Sequence, residues 1–192
     1  MKYLYFLPLI ICLSSVSLAQ EDIPQEYNYY FIGLDFSIIT KGDFMFGVEG
    51  GSLKAQDIGF FAGIKMSFQV PDEKLVYDNI GYLEATRTYK DIQRGEKYRY
   101  MDISLGISKN LLWNNLYLLL GMSYQIEEIF KEFYDNLHIL GDDGQYYIKP
   151  ELLGGMAANI SFVLRTKSNS SITLGGTFGR FNLVSVGYNW TF

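Results

Sequence analysis

The side chains that most often perform catalysis are scarce in this sequence. The chain has one histidine, His138, in the polar segment NLHILGD. A serine nucleophile needs a histidine base beside it and an acid that orients this base. Ser123 is the nearest preceding serine, and no motif that would place it against His138 is present. The sequence therefore predicts a solvated loop histidine and no catalytic residue.

Metal and cofactor sites are not predicted either. A single histidine excludes a two-histidine metal motif. The segment GDDG at 141–144 lacks the spaced carboxylates and closing glutamate of a calcium loop, so a polar turn is favoured. The only cysteine, Cys12, lies near the amino terminus within a predicted leader. The mature chain would then have no disulfide, cysteine ligand or thiol nucleophile.

Charged side chains of both signs are predicted to point to the enclosed side of strand-like segments. They are Asp35, Glu49, Lys65, Asp102, Glu127, Lys149, Glu151 and Arg165. Charges enclosed in a narrow space must pair or lose solvation energy. The favoured interpretation is a structural network of ion pairs that fills this space, and the alternative is a polar path for small solutes or protons.

The elements that would position these charges are strands, because the dominant pattern has period two. In 57–70, apolar residues alternate with residues that are small or polar apart from Phe61, which is typical of a strand with one apolar face. The same alternation recurs along the chain. The predicted strands are 30–38, 44–49, 57–70, 101–108, 116–126, 156–165, 171–175 and 184–192, and the sixth is predicted to be longer than its alternating part, from about Tyr146 to Arg165.

These segments predict an all-β fold, an antiparallel up-and-down β-barrel of eight strands that spans a membrane. No stretch is long and apolar enough for a spanning helix, and in lipid a closed barrel is the remaining way to pair every backbone group. Short turns are expected at 54–56, 110–115 and 166–169 on one side, and at 40–43 and 179–182 on the other. The segments 71–96 and 130–145 would form long external loops. Alternation within 80–90 predicts a hairpin extending strands three and four, and ten strands are the alternative.

Residues 1–19 are predicted to be a signal peptide. Lys2 precedes a short apolar core, and Ser17 and Ala19 supply small residues for cleavage before Gln20. A lipid anchor on Cys12 is the disfavoured alternative, because the preceding Ile11 is not small. The remaining residues, 20–192, are predicted to form a single barrel domain.

The last strand, VSVGYNWTF, carries a family resemblance. Its apolar residues at every second position resemble the assembly signal of bacterial outer-membrane proteins: Val184, Val186, Tyr188, Trp190 and Phe192. The chain resembles the small OmpA/OmpX-type barrels. Its two consecutive segments YMDISLGIS and LYLLLGMSY are similar to segments that recur in barrel proteins of Bacteroidota. The resemblance implies export to the outer membrane and insertion by the barrel-assembly machinery.

The expected function follows from this predicted outer-membrane location and from the amino-acid composition. A net charge of −5 without a basic cluster excludes a nucleic-acid partner. Eight strands enclose a space just wide enough for side chains, so an open pore is not expected. We expect a monomer without cofactor or enzymatic activity, with a structural or surface-interaction role, that contacts outer-membrane lipids and lipopolysaccharide. A narrow porin-like channel and a lipid-modifying enzyme are the alternatives, and the surface partner is unknown.

Aromatic residues of the predicted external loops point to a contact surface. They stand among charged residues, and exposed aromatics on loops often serve recognition. They are Tyr77, Tyr89, Phe130, Phe133 and Tyr134. The alternative is that these rings pack the loops against one another.

Overall fold

The computed structural model describes residues 28–68, 76–77, 80–89, 91–111, 115–135, 144–166 and 169–192. The described chain is almost entirely β-structure, with one short helix, α1, at Tyr82–Arg87. Its strands, numbered β1 to β9, are Tyr29–Ile39, Phe44–Leu53, Ile58–Met66, Val76–Tyr77, Ile92–Asn110, Leu116–Tyr134, Gln145–Arg165, Ser170–Phe178 and Leu183–Thr191. The predicted leader and its cleavage site lie outside the described residues and stay predictions.

Eight of these strands form a closed barrel. β1, β2, β3, β5, β6, β7, β8 and β9 pair with their neighbours in this order, all antiparallel. The ring closes where β1 pairs with β9, from Phe31 opposite Thr191 to Ile39 opposite Leu183. The predicted eight-stranded barrel is therefore confirmed, and the ten-stranded alternative is wrong. β4 is a short extra strand, parallel to the outer part of β7.

The predicted turns join the strands where the period-two pattern breaks. β2–β3, β5–β6 and β7–β8 are joined at the barrel end where β1 begins and β9 ends. Tight turns join β1 to β2 and β8 to β9 at the opposite end. In the first of these, Gly42 takes a φ of 100°, which glycine adopts without a steric penalty.

Alternation along each strand sends large apolar side chains outward. In β9, Val184, Val186, Tyr188 and Trp190 are each about half exposed, while the residues between them are buried. Members of this outer apolar belt on the other strands include Ile32, Leu34, Phe46, Val48, Phe60, Ile64, Ile103, Leu105, Leu120, Met122, Met156, Ile160 and Phe162. Soluble monomers rarely expose an apolar surface that extends this far.

The interior has apolar ends. At the end where β1 begins and β9 ends, a buried cluster consists of Phe31, Leu53, Phe61, Tyr117, Leu119 and Val163. At the opposite end, a second cluster consists of Ile39, Met45, Tyr100, Phe181 and Leu183. The inward residues between these two clusters are mainly polar or glycine.

β5, β6 and β7 are about twice as long as the other barrel strands and continue beyond the tight turns. We call the parts at 92–99, 129–134 and 145–151 the outer extension. α1 lies on the outer extension, where Ile80 and Ala85 form a small core with Phe133, Tyr146 and Ile148.

The predicted hairpin at 80–90 is wrong. β3 ends at Met66, and the strand expected near Tyr82 is the helix α1. Helix formation is favoured because it buries Ala85 fully against the outer extension. Among the described helical residues there is no segment with the length and apolar character needed to cross a membrane.

Candidate functional site

Four buried side chains meet between the two apolar clusters of the interior. The ammonium of Lys65 lies 3.0 Å from Oδ1 of Asp35 and donates a hydrogen bond to Oγ of Ser185 at 2.7 Å. The hydroxyl of Ser37 donates to Oδ1 of Asp35 at 2.6 Å and lies 2.8 Å from Ser185 Oγ. The structure therefore brings Asp35 and Lys65 together as a buried ion pair that two serines orient.

Gly47 provides the space for this pair. It is the register partner of Asp35 on β1 and of Lys65 on β3. A Cβ on Gly47 would lie 2.7 Å from Cγ of Lys65 and 2.3 Å from the carbonyl oxygen of Ile64. Since no side chain tolerates such distances, glycine at this position lets the Lys65 stem cross β2 to reach Asp35.

Two more carboxylates lie near the ion pair. Asp102 is the register partner of Lys65 and is fully buried, and Glu49 is 4% exposed. Lys65 acts on both carboxylates as a nearby positive charge, and Gln125 and Ser123 lie beside Asp102 as polar neighbours. Because burial of an unpaired charge is very unfavourable, the charge of Lys65 stabilises all three carboxylates of this interior group.

Glu127 lies at the barrel mouth, where it joins two turns. Its Oε1 accepts a hydrogen bond from Lys41 in the β1–β2 turn at 2.8 Å, and its Oε2 accepts one from Arg180 in the β8–β9 turn at 3.0 Å. Nearby, the Gln125 side chain donates to the carbonyl of Phe181 at 2.8 Å and accepts from its N–H at 3.2 Å. These contacts hold the Phe181 ring in the mouth.

We expect Glu127→Ala to loosen the β8–β9 turn. The substitution removes both ion pairs, although the exposure of Lys41 and Arg180 limits what these pairs contribute. Hydrogen exchange at the Phe181 amide should become up to about tenfold faster, which corresponds to about 1.4 kcal/mol. Glu151→Ala, which removes an exposed glutamate elsewhere, is the control and should leave this amide unchanged. If the Phe181 amide is equally protected in Glu127→Ala and in the wild type, Glu127 does not hold the β8–β9 turn.

Glu151 does not lie in the interior. Its side chain is 59% exposed and lies 3.4 Å from the ammonium of Lys131. The prediction for Glu151 is wrong because the closed ring ends before this residue. β7 pairs with β8 only from Arg165 to Ala158, and Glu151 lies in the part of β7 that continues past the ring. The side chain of Lys149 is outside the part of the chain that the structure describes.

Arg165 is the last residue of β7 and lies at the barrel end where β1 begins, away from the mouth. Its guanidinium carbon is 3.4 Å from the centroid of the Tyr29 ring, a cation–π contact. Tyr29 in turn packs against the apolar cluster of this end. The predicted charged residues thus divide into an enclosed group around Lys65, one residue at each end, and Glu151 outside.

No protein-family model and no curated protein matches the sequence. Solved structures do match it. Ail, the attachment invasion locus protein of Yersinia pestis, aligns with a TM-score of 0.57 and 10% identity over 87% of this chain and 99% of Ail. Ail in complex with the heparin analogue sucrose octasulfate aligns with a TM-score of 0.56 and 9% identity over 86% of this chain and 97% of Ail. The chain has the fold of the small outer-membrane β-barrels.

This outer-membrane barrel fold agrees with the OmpA/OmpX-type resemblance of the sequence. At 9–10% identity the likeness establishes the fold alone. The similarity to barrels of Bacteroidota stays a prediction.

The outer extension of the barrel has a buried polar contact of its own. The hydroxyl of Tyr146 donates to Oδ2 of Asp91 at 2.8 Å, and its ring stacks on Phe133 with centroids 5.7 Å apart. Burial, and then the hydrogen bond to Asp91, raise the pKa of the Tyr146 phenol. Tyr146 therefore stays protonated at neutral pH and keeps α1 connected to the strands through the segment that follows the helix.

Cations lie on aromatic rings along the outer extension. Arg94 lies 4.3 Å from the ring centroid of Tyr134, and Lys97 lies 4.9 Å from that of Tyr147. Beyond the belt, Tyr98 donates a hydrogen bond to Glu96, and this bond is the main cause that raises the pKa of Tyr98 to about 12. Of the predicted loop aromatics, Phe130 and Phe133 are packed within the outer extension, where each is 4% or less exposed.

The remaining predicted sites stay untested. His138 and residues 141–143 of the GDDG segment lie outside the described residues, and only Gly144 of that segment is described. Across the described ranges, no three histidine, cysteine, aspartate or glutamate side chains are grouped to hold a metal ion. Phe192 ends an outward face with Trp190 and pairs with Tyr30 through two backbone hydrogen bonds of 2.9 and 3.0 Å. Its recognition by an assembly machinery stays a prediction.

Several residues that complete the interior were missed by sequence reasoning. Ser37 and Ser185 occupy inward positions of predicted strands, so their burial was indicated, but nothing in the pattern singled them out as partners of Lys65. Lys41 and Arg180 lie in turns, where the period-two pattern gives no direction. Cross-strand register, which only the fold provides, makes these residues neighbours.

Proposed function

We propose that the chain is an integral outer-membrane protein with a structural or surface-interaction role, exported by a leader cleaved after Ala19. The observation that carries the proposal is an apolar outer belt around an interior that has an apolar cluster at each end. The belt suits lipid, and unpaired backbone groups are avoided because the sheet is closed. The polar and charged side chains between the clusters fill the lumen and stabilise the barrel.

We further propose that the outer extension makes the surface contacts. Its strands run past the barrel, and its core around Phe133 and Tyr146 keeps α1 in place outside the belt. A rigid element of this kind can present side chains to envelope lipids, lipopolysaccharide or a protein partner. We do not expect this chain to bind sucrose octasulfate as Ail does, because acidic side chains outnumber basic ones in this chain.

Conductance in planar lipid bilayers tests the closed lumen. We expect the folded protein to give no stable current steps above those of protein-free bilayers, since both ends of the interior hold packed aromatic rings. Heat-dependent gel mobility of the same preparation verifies that the barrel is folded. Stable, ion-selective steps would contradict the closed lumen and favour the narrow channel.

A further inference from the structure

Arg165 carries a positive charge that no described carboxylate balances. We call the barrel end where β1 begins and β9 ends the β1 end. Nε and Nη1 of Arg165 are buried there, and neither has a hydrogen-bond partner among the described residues. Arg165 also belongs to none of the ion pairs between described side chains. Since burying a charge without a partner is unfavourable, these two donors favour the binding of an anion.

The side chains around this guanidinium are aromatic or neutral. The Tyr29 ring covers one face, with its centroid 3.4 Å from the guanidinium carbon, and Tyr117 lies close enough to be affected by the positive charge. The register partner of Arg165 is Ser171, which is fully buried. Tyrosine and serine are uncharged at neutral pH, so these neighbours supply no negative charge.

The orientation of the guanidinium determines which anions fit. At 3.4 Å the guanidinium plane must lie nearly parallel to the Tyr29 ring, so its N–H groups point past the ring edge. Arg165 is the last residue of β7 and is partly exposed, which leaves an approach from the β1 end. A carboxylate is planar and has two acceptor oxygens, and this shape matches donors that lie in one plane.

We propose that Arg165 binds a carboxylate at the β1 end of the interior. The single negative charge of a carboxylate balances the single charge of the guanidinium, whereas a phosphate dianion would exceed it. The hydrogen bonds of such a pair are charge-assisted and therefore strong. The proposal goes beyond the structural role of the barrel and does not depend on a surface partner.

The chain itself carries carboxylates close to Arg165 along the sequence. Glu21, Asp22 and Glu26 precede β1, and Tyr29, the first residue of β1, lies on the guanidinium. Glu26 is three residues before Tyr29, a separation that an extended chain spans in about 10 Å. Because a short tether keeps the local concentration of a group at about millimolar, these residues are favoured over a soluble carboxylate as the source.

The NMR signal of the Arg165 Nε–H group tests the site. The isotope-labelled full chain is folded in detergent micelles, and the signal is assigned by its loss in Arg165→Lys. We expect the triple variant Glu21→Gln/Asp22→Asn/Glu26→Gln to shift this signal. Hydrogen exchange of the group should become about tenfold faster, the scale of one charge-assisted hydrogen bond.

Arg94 is the matched control within the same spectra. It also lies on a tyrosine ring, 4.3 Å from the centroid of Tyr134, but in the outer extension. Its Nε–H signal should be identical in the wild type and the triple variant. A shift at Arg165 alone would therefore report the carboxylate and not a general change of charge.

Sodium acetate distinguishes the two sources of the carboxylate. Added to the triple variant, acetate should restore the Arg165 signal with half-saturation at roughly 10–100 mM, the range expected for one charge-assisted contact. Sodium chloride at the same concentrations is the control for ionic strength. If the triple variant leaves the signal unchanged and acetate shifts it in the wild type, the site binds a carboxylate from another molecule.

Two results would overturn the proposal. One is an Arg165 signal that changes neither in the triple variant nor with acetate. The other is an equal response to acetate and chloride, which would show that the guanidinium does not select a carboxylate. Conductance and heat-dependent gel mobility are measured separately, so failure of this site is distinguishable from failure of the proposed function.

Discussion

Replacing Lys65 with methionine should destabilise the barrel by about 3–5 kcal/mol, because it removes one partner of a buried ion pair. Asp35 would lose its cation at 3.0 Å, and Asp102 and Glu49 would lose the nearest positive charge. Urea-induced unfolding from lipid vesicles, followed by gel mobility at neutral pH, measures the loss.

Two companion variants make this result specific. Lys109→Met changes an exposed lysine of β5 and should shift stability by less than about 0.5 kcal/mol. The double variant Lys65→Met/Asp35→Leu should recover part of the loss, since it removes both charges of the pair. A Lys65→Met protein as stable as the wild type would mean that the pair does not contribute to folding.

Gly106→Ala should lower stability by about 3 kcal/mol or prevent folding, because there is no space for a methyl group. A Cβ at this position would lie 2.3 Å from the carbonyl oxygen of Leu120, and 2.5 Å from both Cα of Gly121 and the Phe61 ring. The first two contacts are with backbone, which moves only if β5 and β6 separate. The same unfolding assay, together with the yield of heat-modifiable protein, reports the effect.

Gly155→Ala is the matched control for Gly106→Ala. It also adds a methyl group to a barrel strand, but the nearest heavy atom would be the Arg180 Cβ at 3.7 Å, an ordinary contact. We expect it to fold and to retain wild-type stability within about 0.5 kcal/mol. Equal behaviour of the two alanine variants would refute the steric argument.

The barrel could be predicted from the sequence because a lipid-facing strand has a simple pattern. Apolar residues at every second position along 57–66 and 184–191 correctly gave both the strands and their outward faces. The pattern works because in a barrel one face contacts lipid and the other is enclosed, so the period of two is strict. Turn positions then followed from where this pattern stopped.

Beyond the belt the same reasoning failed for β5 and α1. Apart from Ile92, Gly95 and Tyr98, the residues at 92–99 are polar or charged, so no apolar face marks a strand there, and the predicted start at 101 is wrong because β5 starts at Ile92. The six residues of α1 are too few to distinguish a helical period from alternation. Packing against Phe133 and Tyr146, which are distant in sequence, determines their structure.

The interior charges were predicted as a group but not as pairs. Position on an inward face identified Asp35, Lys65 and Asp102, yet the partner of Lys65 depends on Gly47, which lets its stem cross a strand. The error at Glu151 has a related cause, because the level at which the ring ends depends on how far β8 pairs with β7, and this leaves no signal in the sequence of β7 alone.

Solvent accessibility along β9 tests the central claim, a closed barrel with a lipid-facing belt, most directly. Cys12 is the only cysteine and lies in the predicted leader, so single cysteines placed at 183–191 can each carry a spin label in reconstituted vesicles. We predict alternation: labels replacing Val184, Val186, Tyr188 and Trp190 collide with oxygen and are shielded from a water-soluble nickel chelate. Equal access of the chelate to these four positions, in protein that stays soluble without detergent, would contradict a membrane-spanning barrel.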